Sequence, residues 1–298
     1  MSRARELLPF VGMFGLFLAV QLLAVALVGP FQEAGLQATE DPQDPANAAV
    51  YVLFILGFTA VLLLAMRYDL DWVLKAAILL SVAALAYYVL AVFLPFAAAV
   101  LVALGIAALL ELHPEWYVID GAGVLMGAGA AGIFGISFGL VPALLLLAVL
   151  AVYDAIAVYR TEHMLSLADG AMELNLPVLF VVPRRLDYSF PEAGPDLDEG
   201  EDEERDAFFM GLGDAVIPGV LVASAAHFVA VPAGTPLGLN LAAAGALLGA
   251  SVGFAALMAL VARGKPHAGL PLLNGGAILG FAVGLVAMGL SPLAVVGL

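Results

Sequence analysis

Apolar runs separated by short polar breaks make up almost the whole chain. The runs cover residues 7–28, 49–66, 73–94, 96–110, 117–134, 136–159, 207–231, 237–262 and 270–296. Each lies near the ~20 residues that an α-helix needs to cross about 30 Å of hydrocarbon. The pattern predicts an all-α, polytopic membrane protein with nine transmembrane helices. Composition agrees, since 64% of the 298 residues are hydrophobic and only 12% charged, with a mean hydropathy of +1.09, beyond the range of soluble domains. The first run is longer than the ~7–15 apolar residues of a cleaved signal peptide, so it reads as a retained span.

Lys and Arg accumulate in cytoplasmic loops of membrane proteins, which gives an independent check on span count. With nine spans and a cytoplasmic N-terminus, all 10 basic residues fall inside: Arg3, Arg5, Arg67, Lys75, Arg160, Arg184, Arg185, Arg205, Arg263 and Lys265. The C-terminus is then extracytoplasmic and the protein a multi-pass component of the cell membrane. The chain divides into spans one to six (1–159), a cytoplasmic loop (160–206) and spans seven to nine (207–298).

The loop is itself patterned. Met164, Leu165, Leu167, Ala168 and Met172 recur at rough helical period, as in a segment lying along the membrane interface. Pro177-Val178-Leu179-Phe180-Val181-Val182-Pro183 is too short to cross and reads as a strand. Nine of the 25 acidic residues crowd between Glu192 and Asp206, making a solvated linker. The net charge of −15 excludes a nucleic-acid partner, which needs a basic face. With no cysteine, thiolate nucleophiles and Cys-based metal sites are excluded, and no cofactor or metal is indicated.

Two aspartates break the apolar pattern, Asp154 in the sixth run and Asp214 in the seventh. A charge at mid-bilayer costs roughly 2.5–3.5 kcal/mol on insertion scales, so two in consecutive spans call for a function. Asp154 precedes Arg160 by six residues and Asp214 follows Asp206 by eight. At 1.5 Å per residue these offsets are roughly 9 and 12 Å from the cytoplasmic helix ends, a matching depth. Antiparallel neighbours would bring the carboxylates face to face, where the pair shares a proton. One member then acts as general base on a water while the other donates to a scissile carbonyl. Gly211 and Gly213 remove bulk beside Asp214, and Gly211, three residues before it, is expected on nearly the same helix face.

At these residues the sequence resembles the presenilin and signal peptide peptidase family of intramembrane aspartyl proteases. Tyr153-Asp154 matches the family's Tyr-Asp motif, and Gly211-Leu212-Gly213-Asp214 its Gly-x-Gly-Asp motif. The continuation Ala215-Val216-Ile217-Pro218-Gly219 looks more like signal peptide peptidase, whereas Ala155-Ile156-Ala157-Val158 looks more like presenilin. The mixture suggests an archaeal-type homologue. The third family motif, Pro-Ala-Leu, has two registers here: Ala268-Gly269-Leu270-Pro271 against Pro-Ala-Leu-Pro, or Pro271-Leu272-Leu273 against Pro-Ala-Leu. The resemblance implies an aspartic endopeptidase that cuts transmembrane helices of other membrane proteins. Asp154 and Asp214 would be catalytic, with Tyr153, Gly211, Leu212, Gly213, Leu270, Pro271, Leu272 and Leu273 shaping the cleft. It leaves open action alone, as a homo-oligomer or with accessory subunits. An unwound substrate needs partners for its backbone, and residues 178–182 offer it a strand edge.

A cation or proton transporter or channel is the rival reading, because intramembrane carboxylates also carry ions; the chain shows no inverted repeat and no further relay of ionisable groups. The prepilin-peptidase type shares Gly-x-Gly-Asp but carries a basic residue soon after it, absent here. Among other polar residues, Glu111, His113, Glu115 and Asp120 read as solvated near a turn. His227 reads as a packing or interfacial histidine, Asn274 as hydrogen-bonded within the bundle, and Pro142 and Pro218 as helix kinks.

Overall fold

The computed structural model describes residues 3–68, 70–161, 179–185, 187–193, 207–230, 239–261 and 267–295. The expected interfacial helix, Pro177 and Val178, and the acidic run from Asp196 to Asp206 lie outside the described residues. Among those residues the chain forms nine long helices: α1 Arg3–Glu33, α2 Ala46–Arg67, α3 Asp71–Ala91, α4 Phe96–Leu112, α5 Trp116–Ser137, α6 Leu140–Ile156, α7 Leu212–Phe228, α8 Leu241–Val261 and α9 Leu270–Ala287. Among the described residues six stretches are long and apolar enough to cross a membrane, in α1, α3, α5, α6 together with the turn after it (Leu140–Tyr159), α8 and α9; α2, α4 and α7 contribute shorter apolar helices. Prolines set several boundaries. Extended Pro95 precedes α4, and His113, held out of the helical region at φ −149°, precedes Pro114, as expected where a proline ring crowds the residue before it. Pro142 falls in the first turn of α6, where no backbone donor is needed, so it does not kink that helix.

The chain is mainly, not wholly, helical. Strand β1 Leu179–Pro183 pairs antiparallel with β2 Ala207–Gly211, Leu179 opposite Gly211 and Pro183 opposite Ala207. The strand in 177–183 was expected; its partner was read as the start of the seventh span. Ala207-Phe208-Phe209-Met210 is as apolar as a helix start, but its aromatics also suit a pleated surface, and pairing with β1 decides the matter. Helix α7 therefore begins at Leu212, and Gly211 ends a strand instead of sharing a helix face with Asp214.

Contacts group the chain into two interleaved units, one of residues 1–17, 59–126 and 163–213, the other of 18–58, 127–162 and 214–298. The core of the first gathers Val82 of α3, Leu110 of α4, Ile119 and Ala122 of α5, Val181 of β1, Ala207 of β2 and, from the loop between the strands, Phe190. Here Asp120, expected to be solvated, is 6% exposed and accepts the Val181 N–H at 2.8 Å. Glu115 likewise accepts the Ser189 hydroxyl at 2.9 Å and the Phe190 N–H at 3.3 Å. Both corrections have one cause: the ordered ends of the long loop fold back over the start of α5 and bring backbone donors that need acceptors. Glu111, by contrast, pairs with Lys75 at 2.9 Å, half-exposed. Because Val181 points its N–H away from β2, the alternation of antiparallel pairs turns the backbones of Ala207, Phe209 and Gly211 away from β1.

In the second unit, α8 and α9 pack backbone against backbone. Gly245, Gly249 and Gly253 of α8 and Gly276, Gly280 and Gly284 of α9 repeat every four residues, which places each set on one helix face. A Cβ on Gly245 or Gly249 would be driven into the carbonyl of Gly280 or Gly276, and one on Gly253 into that of Leu272. Lipid offers no hydrophobic drive for helix association, so close approach of small residues supplies the dispersion contact.

Candidate active site

Both aspartates belong to the second unit. Asp154 sits near the end of α6, where the Ala157 N–H is shared between the carbonyls of Asp154 and Tyr153, and a π turn, which widens the helix, follows over Ala157–Thr161. Such wide turns recur at functional sites. Only 4% exposed, the Asp154 carboxylate accepts the backbone N–H of Leu270 at 3.0 Å. Leu270 is the first residue of α9, and the first N–H groups of a helix have no partner within it. Asp154 thus caps α9 from another helix, at the end where the backbone dipoles favour negative charge. A second tie lies five residues on, where Ala268 N–H donates to the Tyr159 hydroxyl at 3.4 Å.

Asp214 occupies the first turn of α7, closer to the helix end than the depth inferred from Asp206, because 207–211 is strand. Its carboxylate faces Gly269: a Cβ there would stand 3.0 Å from Oδ1 and 3.2 Å from Cγ. The Gly269-Leu270 segment therefore meets both carboxylates, Asp154 at the Leu270 N–H and Asp214 at Gly269. In the register where Ala268-Gly269-Leu270-Pro271 stands for the third motif, its two central residues are the ones that meet the aspartates. A glycine replaces the alanine of that motif where the chain passes closest to Asp214.

The other expected site residues divide. Leu270 and Pro271 open α9 beside Asp154, and Pro271 occupies a first-turn position that suits a residue without an N–H. Leu272 and Leu273 instead pack against Gly253 of α8. Tyr153, the neighbour of Asp154 along the helix, is 45% exposed and turned outward. Leu212 rests on the core of the first unit. Gly213 is exposed, and a Cβ on it would meet nothing within 4 Å, so open space adjoins the residue before Asp214. Asn274, fully buried, donates from Nδ2 to the Leu147 carbonyl at 2.9 Å and ties α9 to α6. His227 stands edge-on to Phe228 at the far end of α7. Among the described residues no group of three or more His, Asp or Glu side chains is arranged to hold a metal.

Ala268, Gly269 and Tyr159 lie beside the aspartates although they were not among the expected site residues. Gly269 had a signal, its place in one of the two motif registers; Tyr159 had none beyond a polar atom one and a half turns from Asp154.

A helical, polytopic membrane protein with paired carboxylates at two helix N-termini has the parts of an intramembrane aspartyl protease. Residues 14–290 match the family described as signal-peptide peptidase, presenilin aspartyl protease. Two solved structures of a presenilin family intramembrane aspartate protease, from C222 and P2 crystals, are similar. The first has 37% identity and a TM-score of 0.69 over 94% of this chain and 100% of its own. The second has 37% identity and a TM-score of 0.67 over 94% and 98%. A comparison with curated proteins finds no match. The chain belongs to the signal peptide peptidase and presenilin family; it is an integral membrane protein and an aspartic endopeptidase. The transporter reading has no support in these relationships.

Proposed function

We propose that the protein hydrolyses peptide bonds within the transmembrane segments of other membrane proteins, with Asp154 and Asp214 as the catalytic dyad. The observation that carries this reading is that both carboxylates meet the Gly269-Leu270 segment, Asp154 by accepting the Leu270 N–H and Asp214 by its close approach to Gly269. Two carboxylates so close favour one shared proton. The ionised member takes a proton from water as its oxygen attacks the scissile carbonyl, and the protonated member donates to the carbonyl oxygen. On collapse of the tetrahedral intermediate the amine leaves with a proton and the dyad regains its starting charge. Asp154 Oδ2 is engaged by Leu270 N–H, which leaves Oδ1 for this exchange. The topology that accompanies the proposal has nine spans, α2, α4 and α7 included, with the N-terminus and residues 160–206 cytoplasmic and the C-terminus outside, in the cell membrane.

A substrate helix must unwind before its carbonyl can be attacked, and the freed backbone then needs donors and acceptors. The edge expected on residues 178–182 is occupied at Val181 by Asp120. The edge left is that of β2, whose Ala207, Phe209 and Gly211 face outward and whose last residue is three before Asp214. Strand addition there would pair an extended substrate with the chain segment that continues directly into α7. Cleavage of a single-span substrate by the purified protein in water enriched in oxygen-18 tests the reaction. One heavy oxygen is expected in the new carboxylate of the N-terminal product; its absence would exclude direct attack by water.

A further inference from the structure

One polar residue in the first apolar run has no part in the chemistry above. Gln21, in the middle of α1, is fully buried, and its Nε2 donates to the carbonyl of Ala215 at 2.7 Å. Ala215 follows Asp214 directly. The same turn of α7 is weakened by its own sequence, because Pro218 inside the helix has no N–H to return to the carbonyl of Asp214. Next to it, Gly219 leaves the opening through which the amide reaches: a Cβ there would stand 3.3 Å from Gln21 Oε1 and 3.1 Å from the Ala131 Cβ. Gln21, Ala215 and Gly219 belong to one unit.

We infer that Gln21 is a positioning residue for Asp214, clasping the Ala215 carbonyl so that the turn carrying the carboxylate keeps one orientation where Pro218 has removed a helical bond. The inference rests on the reading of Asp214 as catalytic. Stability alone does not explain this side chain. Its Oε1 is buried with no hydrogen-bond partner among the described residues, and such an acceptor opposes folding. A methionine would fill the same volume without that penalty. What glutamine adds is the donor to Ala215.

The test uses the full-length protein in liposomes with a single-span substrate, comparing wild type, Gln21→Met and Gln21→Glu for kcat, KM and melting temperature across pH. Asp214 is the titratable group on the α7 turn that Gln21 touches, so each rate is referred to wild type at the same pH. Gln21→Met is expected to lower kcat by about ten- to a hundredfold, the scale set by small misplacements of a catalytic group, with KM and melting temperature near wild type. Gln21→Glu donates to the Ala215 carbonyl only when protonated, so its relative kcat should recover as pH falls. Wild-type kcat in Gln21→Met would overturn the inference. So would a parallel loss of kcat and melting temperature with no recovery in Gln21→Glu at low pH. If wild type itself leaves the substrate uncut, the protease reading fails instead.

Discussion

The α8–α9 pair and the β1–β2 sheet hold their parts of the molecule by opposite means. In the helix pair six glycines let two backbones touch along about two and a half turns of each helix, so position is fixed by many contacts and by no single one. In the sheet, two strands of five residues are secured on one side by their ladder and on the other by the carboxylate of Asp120. The first arrangement is stiff because displacement anywhere meets backbone; the second depends on a few polar bonds that open locally. The difference suits what each adjoins. Helix α9 begins at Leu270, whose N–H is held by Asp154, whereas the sheet runs directly into the first turn of α7.

Substitutions can break or sharpen this contrast. The largest effect is expected from Gly280→Leu, which forces a side chain into the backbone of α8 near Gly245. Overpacking of this kind costs about 3 kcal/mol or more, read as a large drop in melting temperature in detergent. Asp120→Ala strands the buried Val181 N–H, a loss of about 1–3 kcal/mol. It should speed hydrogen exchange across β1 while leaving α8 and α9 protected, and Asp120→Asn, which keeps an acceptor, should retain most of the protection. Equal protection loss in both elements would mean the two regions are one cooperative unit. Gly269→Ala acts on rate: its Cβ would stand 3.0 Å from Asp214 Oδ1, and because alanine is the motif's own residue and the carboxylate can turn, kcat should change by less than about tenfold with the melting temperature nearly unchanged. Lys75→Ala removes a half-exposed pair with Glu111 and should cost less than about 1 kcal/mol.

What could be read from the chain follows the strength of each physical signal. Asp154 and Asp214 were legible because a carboxylate in an apolar run is costly and therefore conspicuous. Gln21 lies in an equally apolar run, but a neutral amide is a weaker intruder, and its partner is 194 residues away. Asp120 was misread because its burial depends on β1 folding back over α5, a contact that no local spacing encodes. Strand β2 was hidden by composition, since Ala207-Phe208-Phe209-Met210 suits a span and a strand alike until its partner is known. The third motif was found but not its register, which rests on which peptide reaches the aspartates.

The most direct measurement is cleavage of a single-span substrate in liposomes by wild type, Asp154→Asn and Asp214→Asn over a range of pH. Wild type should show a bell-shaped rate, falling at low pH when both carboxyls are protonated and no base remains, and at high pH when both are ionised and no acid remains. Each variant should lose about a thousandfold or more in rate. Products formed at the wild-type rate by either variant, or ion flux abolished by both substitutions with no product from wild type, would contradict the assignment of Asp154 and Asp214 as the proteolytic dyad.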